Sequence, residues 1–416
     1  MRELINSGTE WLGQIPSHWT TSKIAALYTL RNEKVSDRDF APLSVTNKGI
    51  VPQLETAAKS DAHDDRKLVR KGDFAINSRS DRRGSCGISP MDGSVSLINT
   101  ILAPNTEMNP EYYDWLFHTV QFGDEFYKWG HGIVDDLWTT GWQDMKKIII
   151  PTPPLDEQDK IARYLNDRCS AIEELIAEIQ TQIETLEQYK RSVIISAVTK
   201  GLDAETDLKE SGIEYVGTIP ASWDMHPLYV YFGERKNKNS LGLEDNLLSL
   251  SYGKVIRKDI NTSEGLLPES FNTYNIIEAG DIVIRPTDLQ NDKRSLRTGL
   301  AKEHGIITSA YIALKPIRPV NTAYFYYLLH AFDVMKVFYN MGNGVRQGLN
   351  FSEFSRLMIF EPSLKEQNEI VAFLDAKCAE IDRTIDEKNQ QLSILDNYKK
   401  SVIYEYVTGK KEVPSA

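Results

Sequence analysis

The feature that most constrains the fold is a long stretch that occurs twice in the chain. Residues 155–198 return without a gap as residues 364–407, and neither copy contains proline or glycine. The positions that are identical in both copies include, in the first copy and just beyond it, Leu155, Glu157, Gln158, Ile161, Leu165, Cys169, Ile172, Leu186, Tyr189, Ser192, Val193, Val198 and Thr199. Because proline and glycine are the main helix breakers, each copy is predicted to be one helix, about 66 Å long at 1.5 Å per residue.

Apolar residues in both predicted helices are spaced alternately three and four residues apart, which is the spacing of a coiled coil. The helix–helix packing residues that this spacing predicts are Leu165, Cys169, Ile172, Ile176, Ile183, Leu186, Leu374, Cys378, Ile381, Ile385, Leu392 and Leu395. Lys388 interrupts the second seam where the first has Ile179. Because both helices belong to one chain, we expect them to pack on each other as an antiparallel coiled coil. A coiled coil that joins two chains is the alternative.

The repeat also includes the segments that precede each helix. Residues 7–19 return as residues 211–223, with the shared pattern Ser-Gly-x-Glu-aromatic-apolar-Gly-x-Ile-Pro-x-x-Trp. A Gly-Asp turn before an apolar strand occurs at Gly72 and again at Gly280. Further matched elements are the predicted strands 43–45 and 248–250, the predicted strands 95–103 and 308–314, and the predicted helices 110–122 and 321–332.

This order of elements predicts an α+β protein with an internal repeat. The predicted segments are a domain at 1–152, a long helix at 153–200, a domain at 201–361, a long helix at 362–409 and a tail at 410–416. The domains are expected to be mixed and strand-rich. Antiparallel helices would hold the two domains at opposite ends of a rod, related by a pseudo-twofold axis.

Composition limits the kinds of partner and compartment. The net charge of −11 argues against a protein that coats nucleic acid through bulk charge, so any DNA contact must come from local clusters. No Cys/His pairs have metal-ligand spacing, and we expect no metal site. Two of the three cysteines lie on the predicted seams, which is typical of reduced thiols. The chain lacks an apolar run of about 18 residues and a signal pattern, so a cytoplasmic protein without membrane contact is expected.

An arginine-rich polar segment follows the Gly-Asp strand in both halves, at residues 77–85 and 285–297. Arginine reads guanine, asparagine and glutamine read adenine, and serine contacts phosphate, so these segments are DNA-binding candidates. The candidate residues there are Arg79, Arg82, Arg83, Ser85, Arg285, Gln290, Lys293, Arg294 and Arg297. A solvated charged loop without a ligand is the alternative interpretation.

A glycine-rich segment at residues 342–350 is the second candidate, because glycine allows the backbone to approach a phosphate closely. Its Arg346 and Gln347 align with Val134 and Asp135 of the first half, so the halves are expected to read different sequences. Basic clusters elsewhere supply phosphate-contact candidates, which are Arg66, Lys67, Lys236 and Lys238.

Enzyme signatures are missing from the sequence. It contains neither the phosphate loop G-x-x-x-x-G-K-[ST] nor the glycine fingerprint of dinucleotide-binding folds. Residues 152–155 read Thr-Pro-Pro-Leu, which lacks both the amide or acid and the aromatic residue of the Asn/Asp-Pro-Pro-aromatic motif of adenine methyltransferases. We therefore expect no catalytic residues and no cofactor in this chain.

Taken together, the repeated motifs are similar to those of the specificity subunits of type I restriction–modification enzymes. The matching features are the domain-start pattern, the Gly-Asp strand, the Pro-x-Leu-x-Glu-Gln helix start and the Tyr-Lys-basic-Ser-Val-Ile helix end, and they cover nearly the whole chain twice. The resemblance implies two target-recognition domains, each of which reads one half of a bipartite site in double-stranded DNA, and a helical rod that sets the spacer. It also implies two methyltransferase subunits that dock on the rod and carry S-adenosylmethionine, and separate restriction and translocase subunits.

Two other functions are the alternatives. A self-contained adenine methyltransferase with fused recognition domains should have a glycine-rich loop after its first strand, and the sequence contains none. A coiled-coil adaptor that does not bind DNA would be distinguished by a DNA footprint of the chain with its methyltransferase.

Overall fold

The structure, a computed structural model, describes residues 2–53, 63–79, 82–132, 138–261, 270–287, 289, 296–341 and 348–414. The chain divides into two compact units: unit 1 comprises Met1–Gln180 and Asn389–Ala416, and unit 2 comprises Thr181–Lys388. These boundaries lie inside the two long helices, whereas the sequence-based segments end where each helix begins. Each unit therefore contains one strand-rich domain and a part of both long helices.

Eight α-helices are present in the described ranges. They are α1 (Ile24–Leu27), α2 (Pro110–Phe117), α3 (Val120–Lys128), α4 (Trp142–Met145), α5 (Leu155–Lys200), α6 (Thr322–Val334), α7 (Phe351–Phe354) and α8 (Leu364–Val407). The long helices α5 and α8 begin at the residues that the repeat predicts and are 46 and 44 residues long. The predicted helix 110–122 is instead two helices, because the Thr119 side chain accepts a hydrogen bond from the backbone N–H of Phe122 and starts α3.

Unit 1 contains thirteen short strands in the part of the chain that the structure describes. They are β1 (Leu4–Asn6), β2 (Gln14–Pro16), β3 (Thr20–Lys23), β4 (Tyr28–Arg31), β5 (Lys34–Val35), β6 (Leu43–Thr46), β7 (Gly49–Pro52), β8 (Arg66–Val69), β9 (Phe74–Asn77), β10 (Cys86–Ile88), β11 (Gly93–Ser96), β12 (Asn99–Pro104) and β13 (Ile149–Thr152). The largest sheet is antiparallel and has the order β10-β9-β12-β4. The remaining strands pair as β11-β8-β5, β13-β3, β6-β7 and β1-β2.

Unit 2 contains twelve strands in its described ranges. They are β14 (Leu208–Glu210), β15 (Thr218–Pro220), β16 (Asp224–Pro227), β17 (Phe232–Glu234), β18 (Leu248–Ser251), β19 (Lys254–Arg257), β20 (Asn275–Ile277), β21 (Ile282–Ile284), β22 (Thr298–Leu300), β23 (Gly305–Ile307), β24 (Ile312–Pro316) and β25 (Met358–Glu361). The order β17-β24-β21-β22 matches the largest sheet of unit 1, and the pairs β16-β25, β18-β19, β20-β23 and β14-β15 match its smaller sheets. The two units therefore share one strand topology.

Two strand predictions were wrong in their extent. Residues 95–103 form parts of β11 and β12, which are separated by a turn in which the Asn99 side chain donates to the Ser96 carbonyl. Residues 308–314 contain the start of β24 and a turn in which the Tyr311 N–H donates to the Thr308 carbonyl. Each predicted strand thus contained a local turn at its polar residues, which are Ser96 and Asn99 in unit 1 and Thr308 and Ser309 in unit 2.

The Gly-Asp turns are closed by their aspartates. Gly72 and Gly280 have φ of +88° and +92°, a conformation that favours glycine. Asp73 accepts hydrogen bonds from the Arg70 N–H at 2.8 Å and from Arg31 Nε at 2.6 Å. Asp281, the equivalent aspartate of unit 2, accepts from the Glu278 N–H at 2.9 Å and from the Arg235 guanidinium at 3.0 Å. These turns fix the starts of β9 and β21, the strands that lead into the arginine-rich segments.

The core of each unit includes residues of both long helices. In unit 1, aromatic residues of α2 and α3 cluster with Leu165 of α5 and Val402 of α8. In unit 2, aromatic residues of α6 cluster with Val198 of α5 and Leu374 of α8. All twelve predicted packing residues are buried or half-buried. The strand-rich domains are therefore anchored on the helices by apolar burial.

The long helices run antiparallel within each unit. In unit 1, the rings of Tyr164 and Tyr406 are 4.5 Å apart, and Lys399 donates to Glu173 further along α5. In unit 2, Lys190 Nζ lies 2.6 Å from Asp382 Oδ1. Lys388, which interrupts the seam, donates to Gln182 Oε1 at 2.5 Å, and this bond satisfies the polar group inside the seam. Within the described ranges, none of the helices combines the length and apolar character needed to cross a membrane.

Candidate nucleic-acid interface

The structure joins the arginine-rich and glycine-rich segments in both units by an equivalent hydrogen bond. In unit 1, the backbone N–H of Thr140 donates to the carbonyl of Ser78 at 2.9 Å. In unit 2, the backbone N–H of Leu349 donates to the carbonyl of Pro286 at 2.9 Å. Two segments that the sequence suggested separately thus meet at these residues in each unit. We call them the paired loops, of which the structure describes residues 77–79, 82–85, 130–132 and 138–140 in unit 1 and residues 285–287, 289, 296–297 and 348–350 in unit 2.

The paired loops of unit 1 present exposed arginines. Arg79 follows β9, and its backbone carbonyl accepts a hydrogen bond from the Tyr127 hydroxyl at 3.0 Å. Arg82 and Arg83 are exposed in the turn that follows. The Arg83 guanidinium lies 4.8 Å from the centre of the Tyr127 ring and 3.3 Å from an Asp124 oxygen. The loop is therefore anchored through its backbone, and its arginines point to solvent.

Ser85 does not belong to this exposed set. It is buried, its N–H donates to the Arg82 carbonyl at 3.0 Å, and its carbonyl accepts from the Asn77 N–H at 2.8 Å. Its prediction as a DNA contact is corrected, because Ser85 closes the turn that carries Arg82 and Arg83. This role could not be predicted from the sequence, since serine occurs both in turns and at phosphate contacts.

In unit 2, Arg285 follows β21 at the position that the buried Asn77 occupies in unit 1. Arg285 is exposed, and its N–H donates to the Arg297 carbonyl at 2.9 Å. Several predicted site residues lie outside the described residues, and these are Gln290, Lys293, Arg294, Arg346 and Gln347, together with the aligned Val134 and Asp135 of unit 1. Their DNA contacts remain predictions from the sequence.

Arg297 is corrected from a DNA contact to a positioning residue. It is buried, and its guanidinium donates to the carbonyls of Arg285 and Thr287. Its backbone N–H donates to Asp333 Oδ2 at 2.8 Å, and Asp333 also accepts from the Tyr339 hydroxyl at 2.8 Å. Arg297 thus fixes the base of the arginine-rich loop to the end of α6, and its charge is not available to a phosphate.

Arg66 and Lys67 are also corrected. Arg66 is buried, and its guanidinium donates to the side chain and carbonyl of Ser94 at 2.8 and 2.9 Å. Lys67 Nζ donates to the Asn99 carbonyl at 2.8 Å. Burial lowers the pKa of both side chains. They stabilise the β11-β8 pairing and the neighbouring turn, because a buried cation must be hydrogen-bonded.

The phosphate-contact candidates of unit 2 remain at the surface. Lys236 is exposed and lies 2.8 Å from Glu234. Lys238 is exposed, and its Nζ donates to the Thr273 carbonyl at 2.9 Å. Both ammonium groups are on the solvent side of the domain, where a surface ion pair exchanges partners at little cost.

The repeated Glu-Gln pair at the helix starts has a role that sequence reasoning missed. Glu157 accepts from Trp19 Nε1 at 3.0 Å, and Glu366 accepts from Trp223 Nε1 at 2.9 Å. These bonds join the tryptophan that ends each domain-start motif to the long helix of its own unit. The identity of the glutamates in both copies was the available signal.

The glutamine of the same pair orients a second helix. Gln158 Oε1 accepts from the Asn109 N–H at 2.9 Å, and Gln158 Nε2 donates to the Pro153 carbonyl at 2.8 Å. Gln367 makes the same two bonds with Asn321 and Pro362, at 3.1 and 3.0 Å. Asn109 and Asn321 are the N-caps of α2 and α6. Each domain is therefore held on its helix by matched, largely buried polar bonds.

The fold and these surfaces define a class: a protein of two similar units, each with exposed cationic loops on a strand-rich domain that is fixed to long antiparallel helices. No protein-family model matches the chain. It is 26% identical over 275 residues to the putative type I restriction enzyme MjaX specificity subunit of Methanocaldococcus jannaschii, which covers 65% of this chain and 60% of that protein. It is 25% identical over 286 residues to the MjaVIII specificity subunit of the same organism, covering 64% of this chain and 63% of that protein.

Solved structures match over almost the whole chain. A chain from a structural study of complex assembly and conformational transition of the type I R-M system has a TM-score of 0.71 at 14% identity and covers 95% of this chain and 99% of that chain. The HsdS subunit from Thermoanaerobacter tengcongensis has a TM-score of 0.53 at 16% identity. The match covers 98% of this chain and 100% of that chain. The chain thus has the fold of an HsdS subunit. It resembles the type I restriction enzyme specificity subunits, and its sequence match spans about 60% of the length of those curated relatives.

Proposed function

We propose that the chain is the DNA-recognition subunit of a type I restriction–modification complex, and that the paired loops of each unit read one half of a bipartite site in double-stranded DNA. The observation that carries this proposal is the junction of the loops. The same hydrogen bond joins them at the same place of the repeat in both units, at Ser78 and Pro286. The residues around the junction differ between the units. A common frame with different side chains suits two sites of different sequence.

The long helices set the distance between the two half-sites in this proposal, as an antiparallel coiled coil with a pseudo-twofold axis. The buried seam residues and the antiparallel pairing within each unit support it. Heptad packing suits such a spacer because two supercoiled helices resist bending better than one.

The helices also offer two equivalent patches for two copies of a methyltransferase subunit. The Arg168 guanidinium lies 5.7 Å from the ring centre of Tyr398, and the equivalent Lys377 ammonium lies 6.0 Å from that of Tyr189. Both tyrosines are exposed. Methyl transfer from S-adenosylmethionine would take place in those subunits, and cleavage in separate restriction and translocase subunits. The chain itself positions the DNA and supplies no catalytic group.

The first test exchanges one recognition domain. Replacing residues 1–150 with the equivalent segment of a relative should change only one half of the methylated sequence, because the loops of unit 2 are untouched. The measurement is methylome sequencing of cells that express the variant together with its methyltransferase subunit. The matched control replaces residues 201–361 and should change the other half. A change in both halves after a single exchange, or no bipartite pattern with the unmodified chain, contradicts the proposal.

The second test concerns Arg82. Arg82→Ala should weaken binding of the methyltransferase complex to its own site by about 1–3 kcal/mol, which is the usual contribution of an arginine that reads a base. Methylation should relax at one position of one half-site. If Arg82 contacts a phosphate instead, affinity for all sequences should fall alike and the salt slope should decrease by about one. Arg163→Ala, which removes an exposed arginine from α5, is the charge-matched control. Equal binding of the two variants removes Arg82 from the interface.

A further inference from the structure

The hairpin β18-β19 of unit 2 has one face in the core and one face in solvent. Leu250 pairs with Val255, and both pack against the buried cluster around Leu248. Because side chains alternate across a strand, the opposite face carries the pairs Ser249 with Ile256 and Ser251 with Lys254. Lys254 and Ile256 are exposed, and the serines are half-buried. This solvent face, with the tip residue Tyr252, is called the ribbon face below.

The ribbon face suits a DNA groove in its chemistry. Serine hydroxyls donate to phosphates or base edges, a lysine contacts phosphate, and an isoleucine packs against the methyl group of thymine. None of its residues is acidic. A two-stranded antiparallel ribbon also has the width that the major groove admits.

The tip of the hairpin lies against the end of the arginine-rich segment. Gly253 is buried, and a Cβ placed on it would lie 3.5 Å from the Leu296 side chain and 3.6 Å from the Thr298 carbonyl. The Gly253 carbonyl accepts a hydrogen bond from the Tyr326 hydroxyl at 3.4 Å. The hairpin turn is thus fixed beside the end of the arginine-rich segment of unit 2.

Tyr252 occupies an unusual position at this tip. Its φ is +48°, a left-handed conformation that glycine or asparagine adopts far more readily than a large aromatic residue, and its side chain is 70% exposed. A strained residue whose ring points to solvent contributes little to the core. Such outliers concentrate at ligand-binding sites, where contacts made by the side chain offset the strain.

We propose that the ribbon face is a second DNA-reading element of unit 2 and that Tyr252 is a specificity-determining residue at its tip. The proposal rests on the proposed function and adds a residue set that the arginine-rich and glycine-rich segments do not include. Tyr252 packs its ring against base edges or the sugar, Lys254 contacts the flanking phosphate, and the serines contact base edges or phosphate.

The equivalent hairpin of unit 1 differs at its tip. The turn between β6 and β7 contains Asn47 and Lys48 and no aromatic residue. The contribution of an aromatic tip is therefore specific to unit 2. Changes at Tyr252 are expected to alter only the half-site that unit 2 reads.

The test uses the full chain with its methyltransferase subunit and compares Tyr252→Gly, Tyr252→Asn and Lys254→Gln with the unmodified chain. Glycine and asparagine tolerate the left-handed conformation, so the melting temperature of the chain should stay equal or rise. Methylome sequencing should nevertheless show relaxed sequence preference at one or two adjacent positions of one half-site. Lys254→Gln should keep the sequence preference and reduce the salt slope of binding by about one. Tyr215→Ala, which removes a half-exposed tyrosine from the domain-start turn, is the control.

The outcomes separate this proposal from the function on which it rests. If the unmodified complex methylates no bipartite site, the proposed function itself fails. If it does, and both Tyr252 variants keep the melting temperature and the complete methylation pattern, the ribbon face is not a reading element. Relaxation of the half-site that the exchange of residues 1–150 alters would also overturn the proposal, since Tyr252 belongs to the other unit.

Discussion

Replacing Arg235 with methionine should destabilise unit 2 by about 3–5 kcal/mol at neutral pH, which is the usual cost of leaving a buried charge without its partner. Asp281 is almost fully buried, and the Arg235 guanidinium donates to its Oδ1 at 3.0 Å. The other carboxylate oxygen accepts from the Glu278 N–H at 2.9 Å. Methionine fills much of the volume of the arginine stem but leaves the carboxylate with only its backbone bond.

The destabilisation caused by Arg235→Met should depend on pH, because the pKa of the Asp281 carboxyl is raised in the folded protein. Burial raises the pKa of Asp281, and Arg235 and the Glu278 N–H oppose the shift without cancelling it. The folded protein therefore keeps a proton that the unfolded chain has lost, so stability falls as the pH rises from the unfolded pKa, about 3.9, to the raised folded pKa. Arg235→Met removes the opposing charge, so the pKa of Asp281 in the folded protein rises further. The pH range over which stability falls then extends to higher pH. The destabilisation should be smaller at pH 5 than at pH 7.5.

Urea unfolding followed by hydrogen–deuterium exchange of β21 and β24 measures this cost within unit 2. Arg257→Met is the matched control, because Arg257 pairs with Glu303 at the surface and is exposed. Loss of such a surface pair should cost at most about 1 kcal/mol. The double variant Arg235→Met/Asp281→Asn should recover much of the lost stability, since no charge remains buried. Equal destabilisation by Arg235→Met and Arg257→Met would show that the buried pair has no special role.

The long helices could be predicted from the sequence because their signals are local and repeated. The absence of proline and glycine over both copies and the alternating three- and four-residue spacing need no knowledge of distant contacts. The Gly-Asp turns were also predictable, since only a few residue types adopt a positive φ. The short strands were predicted less well, because their ends depend on single turn hydrogen bonds such as that of Asn99 with Ser96.

The candidate site was predictable only in part, since the burial of an arginine is decided by residues far away in the sequence. Arg82 and Arg297 occur in equivalent polar segments, yet Arg82 is exposed and Arg297 is buried. The difference depends on Asp333, which lies 36 residues beyond Arg297 and accepts its N–H. Tyr252 was missed for a related reason. A two-residue hairpin turn requires a positive φ at its first central residue, but strand β19 was not predicted from the sequence, so this turn was not recognised.

Adding one heptad to each long helix should lengthen the recognised spacer by about three base pairs, if α5 and α8 set the distance between half-sites as proposed. Seven residues add about 10.5 Å, and each base-pair step is about 3.4 Å. The best insertion points are after Gln180 and after Lys388, where the compact units meet along the chain. Insertions there keep the bonds of Lys190, Lys399 and Lys388 inside their own units.

The rotation of the DNA determines how active each insertion variant is. Three base pairs turn the duplex by about 100°, and a left-handed coiled coil turns by about 25° in the opposite sense over one heptad, so the half-sites would be about 130° out of phase. Three heptads add about 31.5 Å, or about nine base pairs. The rotation of the DNA and the opposite rotation of the coiled coil then sum to within about 35° of a full turn. The one-heptad variant should therefore methylate weakly, and the three-heptad variant should methylate more strongly at sites whose spacer is about nine base pairs longer.

Methylome sequencing of cells that carry each double insertion distinguishes the possible results. Both half-site sequences should stay unchanged, because the paired loops are untouched. Insertion of a heptad into α5 alone is the control and should destabilise the protein, since it shifts one seam against the other. Robust methylation with the original spacer in the double-insertion variants would mean that the helices do not set the distance. An equal loss of activity with one and three heptads would mean that rotational phase is not what limits recognition.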